Sequence, residues 1–257
     1  MTELHTSQYP GMTVADRTGV LVVTLDRPPA NALNRALIRS LTGLFAGFAA
    51  EPDAPPVMLT GHGDRFFTAG GDIKELEGAA HTEIGARMRD FHALLVAMDR
   101  FPRPVVCAVN GHCVGGGMEI ALFADRVLAV EHAQFGFPEI NHGLLPADKG
   151  IQRAGQVLGT RRAGKMLLSG ELFDAHRARE IGLVDTITGP GELLDQAVAC
   201  ALAAGSKAPV LYGALKQSLN APDDTRDEAY LHRTIASAAA YFDDPAARER
   251  RENWKKN

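Results

Sequence analysis

Apolar residues along this chain follow two different rhythms. Short apolar or alternating runs recur through the first three-quarters, at Met12–Asp16, Val20–Asp26, Val57–Thr60, Val105–Val109, Arg126–Val130, Gln134–Gly136 and Val184–Ile187. Their length and β-branched content predict strands, the first two closing a hairpin around Arg17-Thr18-Gly19. Between them the spacing becomes helical. Asn34 stands as an N-cap before Leu37, Leu41, Leu44 and Phe48, and Pro52, Pro55 and Pro56 end that helix. Thr82–Arg100 places Ile84, Met88, Phe91, Leu95 and Met98 on one face. Arg161–Ser169 and Asp174–Ile181 also read as helices, and Phe137–Gly150 reads as a polar loop. From Pro190 onward only helices follow, over Leu193–Ala204, Val210–Leu219 and Asp224–Tyr241, before a charge-dense tail. The change of rhythm predicts an α/β core over 1–190 and a helical region over 191–257.

One stretch concentrates the chemistry. Pro104–Asp125 runs from a buried-type strand through Asn110-Gly111 and the glycines Gly115, Gly116 and Gly117 into a helix carrying Glu119 in its first turn. Glycine lets backbone approach a ligand closely, and a helix N-terminus offers unpaired N–H groups to negative charge. The same order of strand, glycine turn and helix start occurs earlier, ending at Gly70-Gly71-Asp72-Ile73, and Gly61-His62 anticipates Gly111-His112. A repeating strand–strand–helix unit explains the echo and would bring two N–H donors together.

Composition adds limits. With 257 residues, 46% apolar and 23% charged, the chain has material for a sizeable core. A net charge of −4 and no lysine stripe argue against nucleic acid as a partner. Cys107, Cys113 and Cys200 lack disulfide or metal spacing, so reduced core thiols and a cytoplasmic location are expected. The N-terminal segment has no basic and apolar leader pattern, and no run is long enough to span a membrane.

Two acids are the leading candidates, Glu119 at its helix start and Glu139 after Pro138. Brought to one site, such a pair can divide acid and base work; apart, Glu119 satisfies a helix dipole and Glu139 is a surface acid. Gly71 and Gly116 can each point an N–H at an acyl oxygen, or serve tight strand–helix packing or a phosphate. His62, His112 and His142 sit in separate loops without paired metal-ligand spacing, and no metal is expected. Cys113 lacks an activating partner. Arg248, Arg250, Arg251, Lys255 and Lys256 alternate with acids, as in a solvated or subunit-contacting helix end.

Four stretches, LDRPPANALN (Leu25–Asn34), FFTAGGDIKEL (Phe66–Leu76), VNGHCVGGGMEIALFAD (Val109–Asp125) and FGFPEI (Phe135–Ile140), resemble the crotonase (enoyl-CoA hydratase/isomerase) superfamily in order and spacing. The resemblance implies a spiral of ββα turns followed by a helical trimerisation region, in a homotrimer or a dimer of trimers. It implies an oxyanion hole from the Gly71 and Gly116 N–H groups around a CoA thioester. Glu119 and Glu139 would hold a water, one as base and one as proton donor to C2. Ala30, Ala32, Leu33, Ala69, Asp72 and Ile73 would follow the CoA, with no separate cofactor. Both acids together imply a hydratase above an isomerase.

The chain departs from that pattern at Pro146-Ala147-Asp148-Lys149-Gly150, where hydratases of the family carry small residues. Asp148 is therefore a possible catalytic acid, as in the superfamily's ring-opening hydrolases of cyclic β-diketones, or else a helix N-cap paired with Lys149. His142 and the charged Ala246–Lys256 segment also differ from the family pattern.

Overall fold

The computed structural model describes residues 2–3, 9–51, 53–76 and 81–255. Of the N-terminal segment read for a leader, residues 1 and 4–8 lie outside them, as do Pro52 and Lys256. The chain opens with β1 (Thr2–Glu3), β2 (Met12–Arg17) and β3 (Val20–Leu25). Thr18 and Gly19, at φ 55° and 87°, make the tight turn between β2 and β3. Both central residues at positive φ match the twist of a two-residue hairpin. α1 (Arg35–Ala49) follows, capped by Asn34, whose side chain accepts the Leu37 N–H at 2.9 Å. Its buried face is rotated from expectation: Ile38 and Phe45 join Leu37, Leu41 and Leu44 in the core, and Phe48 is only partly covered.

Three turns of strand, strand and helix then stack. The first is β4 (Val57–Gly61), β5 (Phe66–Thr68), a 3₁₀ turn at Ile73–Leu76 and α2 (His81–Arg100). The second is β6 (Val105–Val109), β7 (His112–Val114) and α3 (Gly116–Leu122). The third is β8 (Arg126–Val130), β9 (Gln134–Gly136), a 3₁₀ turn at Pro138–His142, α4 (Asp148–Leu158) and α5 (Thr160–Ser169). After β10 (Phe173–Asp174), α6 (Ala175–Glu180) and β11 (Thr186–Thr188) come α7 (Leu193–Gly205), α8 (Pro209–Asn220), α9 (Asp224–Asp243) and α10 (Pro245–Lys255).

Each turn gives one strand to each of two sheets. The larger runs β1-β2-β3-β4-β6-β8-β11 and the smaller β10-β9-β7-β5. From β3 to β11 the larger sheet is parallel, and every residue of β4 and β6 is buried, as expected for strands covered on both faces. This is the ββα spiral the sequence predicts.

The glycine echo has a steric origin. A Cβ on Gly61 would stand 2.8 Å from Phe67 Cα, and one on Gly111 2.8 Å from Phe66 N, so both meet the backbone entering β5. Asn110 stitches the turns together, donating to the Gly61 and Gly63 carbonyls at 2.9 and 2.7 Å and accepting the Gly61 N–H at 2.9 Å. Asn31 does the same from the N-terminal side. Its amide donates to the His62 and Phe66 carbonyls at 3.0 and 2.9 Å, and its Oδ1 accepts the Arg27 N–H.

The polar segment read as a loop over Phe137–Gly150 instead holds a 3₁₀ turn and the start of α4. Ala147 occupies the cap position and Asp148 is the first helical residue, so Asp148 is not the N-cap. The last strand begins at Thr186, two residues later than the predicted Val184. α7 lies directly on β4, β6 and β8, α9 packs on α2 and α4, and α10 folds back on α9 and the Pro138–His142 turn. Among the described residues no single helix is long and apolar enough to cross a membrane.

Asn31 is buried at φ 50°, a backbone region Asn tolerates better than Ala. Asn31→Ala should destabilise the chain by about 2–4 kcal/mol, by orphaning two carbonyls and straining φ. Asn31→Gly, free of the φ strain, should cost about 1 kcal/mol less. Urea unfolding midpoints of the two variants check both figures.

Candidate active site

The site begins where the loop after β3 meets the loop after β5. Ala69 N–H donates to the Ala30 carbonyl at 2.9 Å, Leu33 N–H to Gly70 at 2.8 Å, and Asp72 N–H to Leu33 at 3.1 Å. The last two form a parallel bridge between Leu33 and Gly71. In such a bridge Leu33 spends both of its backbone groups and Gly71 spends neither, which turns the Gly71 N–H away from Leu33. Arg27 ties the seam from outside, donating to the Ala32 carbonyl and to Asp72 Oδ2. The six residues expected along the CoA are thus gathered in one strip. Leu33, Ala69 and Ile73 line a cavity of about 370 Å³, with Ala30, Ala32 and Asp72 in the adjoining seam.

Gly116 faces the same cavity from the next turn of the spiral. It is the first residue of α3, so its N–H has no intrahelical acceptor and lies at the positive end of the helix. The approach of the two loops is close: a Cβ on Gly70 would stand 3.0 Å from Gly116 N. Gly71 and Gly116 therefore border one cavity from successive turns of the spiral.

Glu119 and Glu139 line that cavity too. Glu119 sits one turn into α3, buried, with Oε1 accepting the Ala147 N–H at 2.9 Å. Behind it is Gly150, where a Cβ would stand 2.6 Å from Glu119 Cγ, so the lack of a side chain at 150 makes room for the acid. Glu139, in the Pro138–His142 turn, has an Oε2 that is buried without a hydrogen-bond partner. Gly115 makes room for its other oxygen, since a Cβ there would stand 2.8 Å from Glu139 Oε1. Burial raises the Glu119 pKa well above the carboxylate range, the nearby Glu139 adds to the rise, and the Ala147 N–H opposes it. Burial likewise pushes Glu139 up to about 7. Two buried acids lining one cavity, both with raised pKa values, are chemically suited to proton transfer.

The remaining walls hold residues that spacing alone does not single out. Arg87 of α2 is buried, donates from Nη2 to the Leu33 carbonyl at 2.8 Å and lies 3.6 Å from Glu75. Burial weighs against its charge, and Glu75, Tyr241, Asp72 and Glu119 favour it. Its position was legible: Arg87 interrupts the inward stripe of Ile84, Met88 and Phe91. Tyr241 comes from the end of α9, with burial lifting its hydroxyl to about 12. Trp254 of α10 stacks on His142, ring centroids 4.0 Å apart, and Arg251 fastens α10 by donating to the Gly143 carbonyl at 2.7 Å. The charged tail, expected to be solvated or to contact a subunit, supplies a wall of its own chain's cavity.

Asp148 and Lys149 are not among that cavity's lining residues. Asp148 Oδ2 accepts from Arg233 Nε and Nη2 at 3.0 and 2.7 Å. Lys149 is buried between Asp99 and Asp227, at 2.8 and 2.6 Å. Charge at these positions is matched by partners on α2 and α9 that lie far away in sequence. Cys113 is fully buried, which raises its thiol pKa, in keeping with a core role.

The profile of the enoyl-CoA hydratase/isomerase family matches residues 15–255. A 2,3-dehydroadipyl-CoA hydratase of Escherichia coli (strain K12) is 36% identical over 220 residues, covering 85% of each chain. A carnitinyl-CoA dehydratase of Salmonella arizonae is 32% identical over 223 residues, 86% of this chain and 85% of that one. Among solved structures, an enoyl-CoA hydratase/isomerase from Mycobacterium paratuberculosis superposes with a TM-score of 0.85 at 28% identity, covering 95% of this chain and 98% of that one.

The raised Glu139 pKa has a consequence for stability. Its folded value of about 7 exceeds the ordinary 4.5, so the stability contributed by the protonated form is complete below about pH 4.5 and is lost as pH rises through 7. Glu139→Gln removes that loss. Its Tm should exceed that of the wild type at pH 8, with the difference shrinking toward zero at pH 4.5; calorimetry across this range checks it.

Proposed function

The chain belongs to the enoyl-CoA hydratase/isomerase family, and from that premise we propose that it is a lyase adding water reversibly across the 2,3 double bond of an enoyl-CoA thioester. One observation carries this reading: Glu119 and Glu139 line the same cavity as the two glycine donors, Gly71 and Gly116. The thioester oxygen accepts both N–H groups. As water adds to C3, charge moves onto that oxygen as an enolate, and each donor is worth about 3 kcal/mol of barrier.

One acid of the pair takes a proton from the water as the oxygen bonds to C3, and the other delivers its proton to C2. The pair holds one proton before and after the step, so product release restores the site after a proton exchange within it. Arg87, near Glu119, keeps the shared negative charge tolerable away from bulk solvent. An isomerase needs only one acid and leaves the cradle around Glu119 without a role. The ring-opening alternative rested on Asp148, which is engaged with Arg233 outside the catalytic cavity. The CoA follows the strip from Ala30 to Leu33 and from Ala69 to Ile73, and no separate cofactor enters the scheme.

The same reading makes the protein a cytoplasmic homotrimer or dimer of trimers. The exposed Leu211, Leu215 and Leu219 on α8, 64–84% accessible, support a subunit surface there.

With crotonyl-CoA as substrate, followed by loss of the conjugated thioester absorbance, Glu119→Gln and Glu139→Gln should each lower kcat by roughly 10²–10⁴-fold with little change in KM. Normal turnover in either variant overturns the mechanism. Wild-type kcat/KM should rise with pH through about 7, where the pair loses the first of its two protons, and fall again at higher pH when the second leaves. An acidic limb at pH 4–5 would mean unperturbed carboxyls.

A further inference from the structure

A second, smaller cavity of about 30 Å³ adjoins the catalytic one. The two share Met88, Leu145 and Tyr241 as walls. Beyond that partition Asp148, Arg233, Thr234 and Ser237 join the apolar Pro146 and Ile151 in the lining. We infer that this cavity is the distal end of the acyl pocket and binds the carboxylate of an acyl chain that carries a second acid at its far end. The inference rests on the reading above, which sets the thioester at Gly71 and Gly116.

Arg233, Ser237 and Tyr241 are spaced four apart on α9 and so form one stripe along the helix, about 12 Å long. Tyr241 lines both cavities, and Ser237 and Arg233 follow outward, so the stripe leads from the acids to the small cavity. The Ser237 and Tyr241 hydroxyls make no hydrogen bond among the described residues. Arg233 spends Nε and Nη2 on a single oxygen of Asp148 and keeps Nη1 for another acceptor. The Thr234 hydroxyl is committed, accepting the Asp148 N–H at 2.9 Å and donating to the Tyr230 carbonyl at 3.0 Å.

Size and charge define the group that fits. A volume of this order holds about two waters, which suits one small polar terminus and no further chain. Asp148 and Arg233 balance each other, and the cavity lies beside the positive end of α4. That helix end, the Arg233 guanidinium, half-exposed and set over the Tyr230 ring, and two unspent hydroxyls favour an anion over an ammonium group. Met88, at the partition, has the flexibility to let a methylene chain pass.

The test uses saturated thioesters, which bind without reacting. Titration calorimetry at low ionic strength should show adipoyl-CoA binding about tenfold tighter than hexanoyl-CoA, or suberoyl-CoA tighter than octanoyl-CoA, the better pair fixing the length. Arg233→Gln and Ser237→Ala should each bring that ratio toward one, and Arg233→Lys should restore part of it. Equal affinities within both pairs in the wild type overturn the proposal. So do variants that weaken both members of a pair equally, and so does tighter binding of 6-aminohexanoyl-CoA than of adipoyl-CoA. Crotonyl-CoA turnover is read separately: its absence with the ratio intact supports the subsite and overturns the hydratase reading alone.

Discussion

Two carboxyl groups held out of water in one cavity repel each other and forgo hydration, and the surrounding structure is shaped by accommodating them. Neither carries a full complement of partners. Glu119 has one backbone donor, and Glu139 has a bare oxygen. What they receive is space, from glycines at 115 and 150 whose missing side chains leave room for carboxylate atoms. A fully satisfied pair would be inert, with each proton fixed in a hydrogen bond. The unfilled acceptor at Glu139 is a place for solvent or substrate, and the strain of burial is what brings the protons into the range where they exchange.

The spiral makes this arrangement possible. Strands from successive turns lie side by side, so each glycine loop is delivered to the level of the one before it. The distance between the loops is set by backbone contact: Asn31 and Asn110 hold the β4–β5 connection, and the Leu33–Gly71 bridge fixes which amides face the cavity. The third turn adds Glu139, and the start of α4 closes behind Glu119. Four consecutive residues there are pinned, Ala147 by Glu119, Asp148 by Arg233, Lys149 by Asp99 and Asp227, and Gly150 by the need to leave room.

Local signals in the sequence carried a good deal of this. Val105–Val109, Arg126–Val130 and Gln134–Gly136 are strands because their patterns are short-range, and Asn34 caps α1 through a contact three residues away. Gly71, Gly116, Glu119 and Glu139 were visible as chemistry beside turns. Asp148 was not readable in the same way. Its partner lies 85 residues downstream, and no spacing rule distinguishes an acid aimed at a substrate from one neutralised by a distant arginine. Gly150 and Ala147 were silent for the same reason, since their roles exist only once α3 and α4 meet. Arg87 gave a signal that a strict apolar count passes over, a cation within a buried stripe.

The back-folded α10 separates two kinds of specification. The two buried acids and the glycine loops beside them lie between Leu33 and Gly150, woven into the sheets. One wall of the pocket comes from Trp254, on a helix that touches the rest chiefly through α9 and the Pro138–His142 turn. Sequence drift in those final residues can reshape what the pocket admits while the paired acids stay fixed. Selectivity and chemistry can therefore diverge at different rates along a lineage, with the C-terminal segment the more permissive of the two.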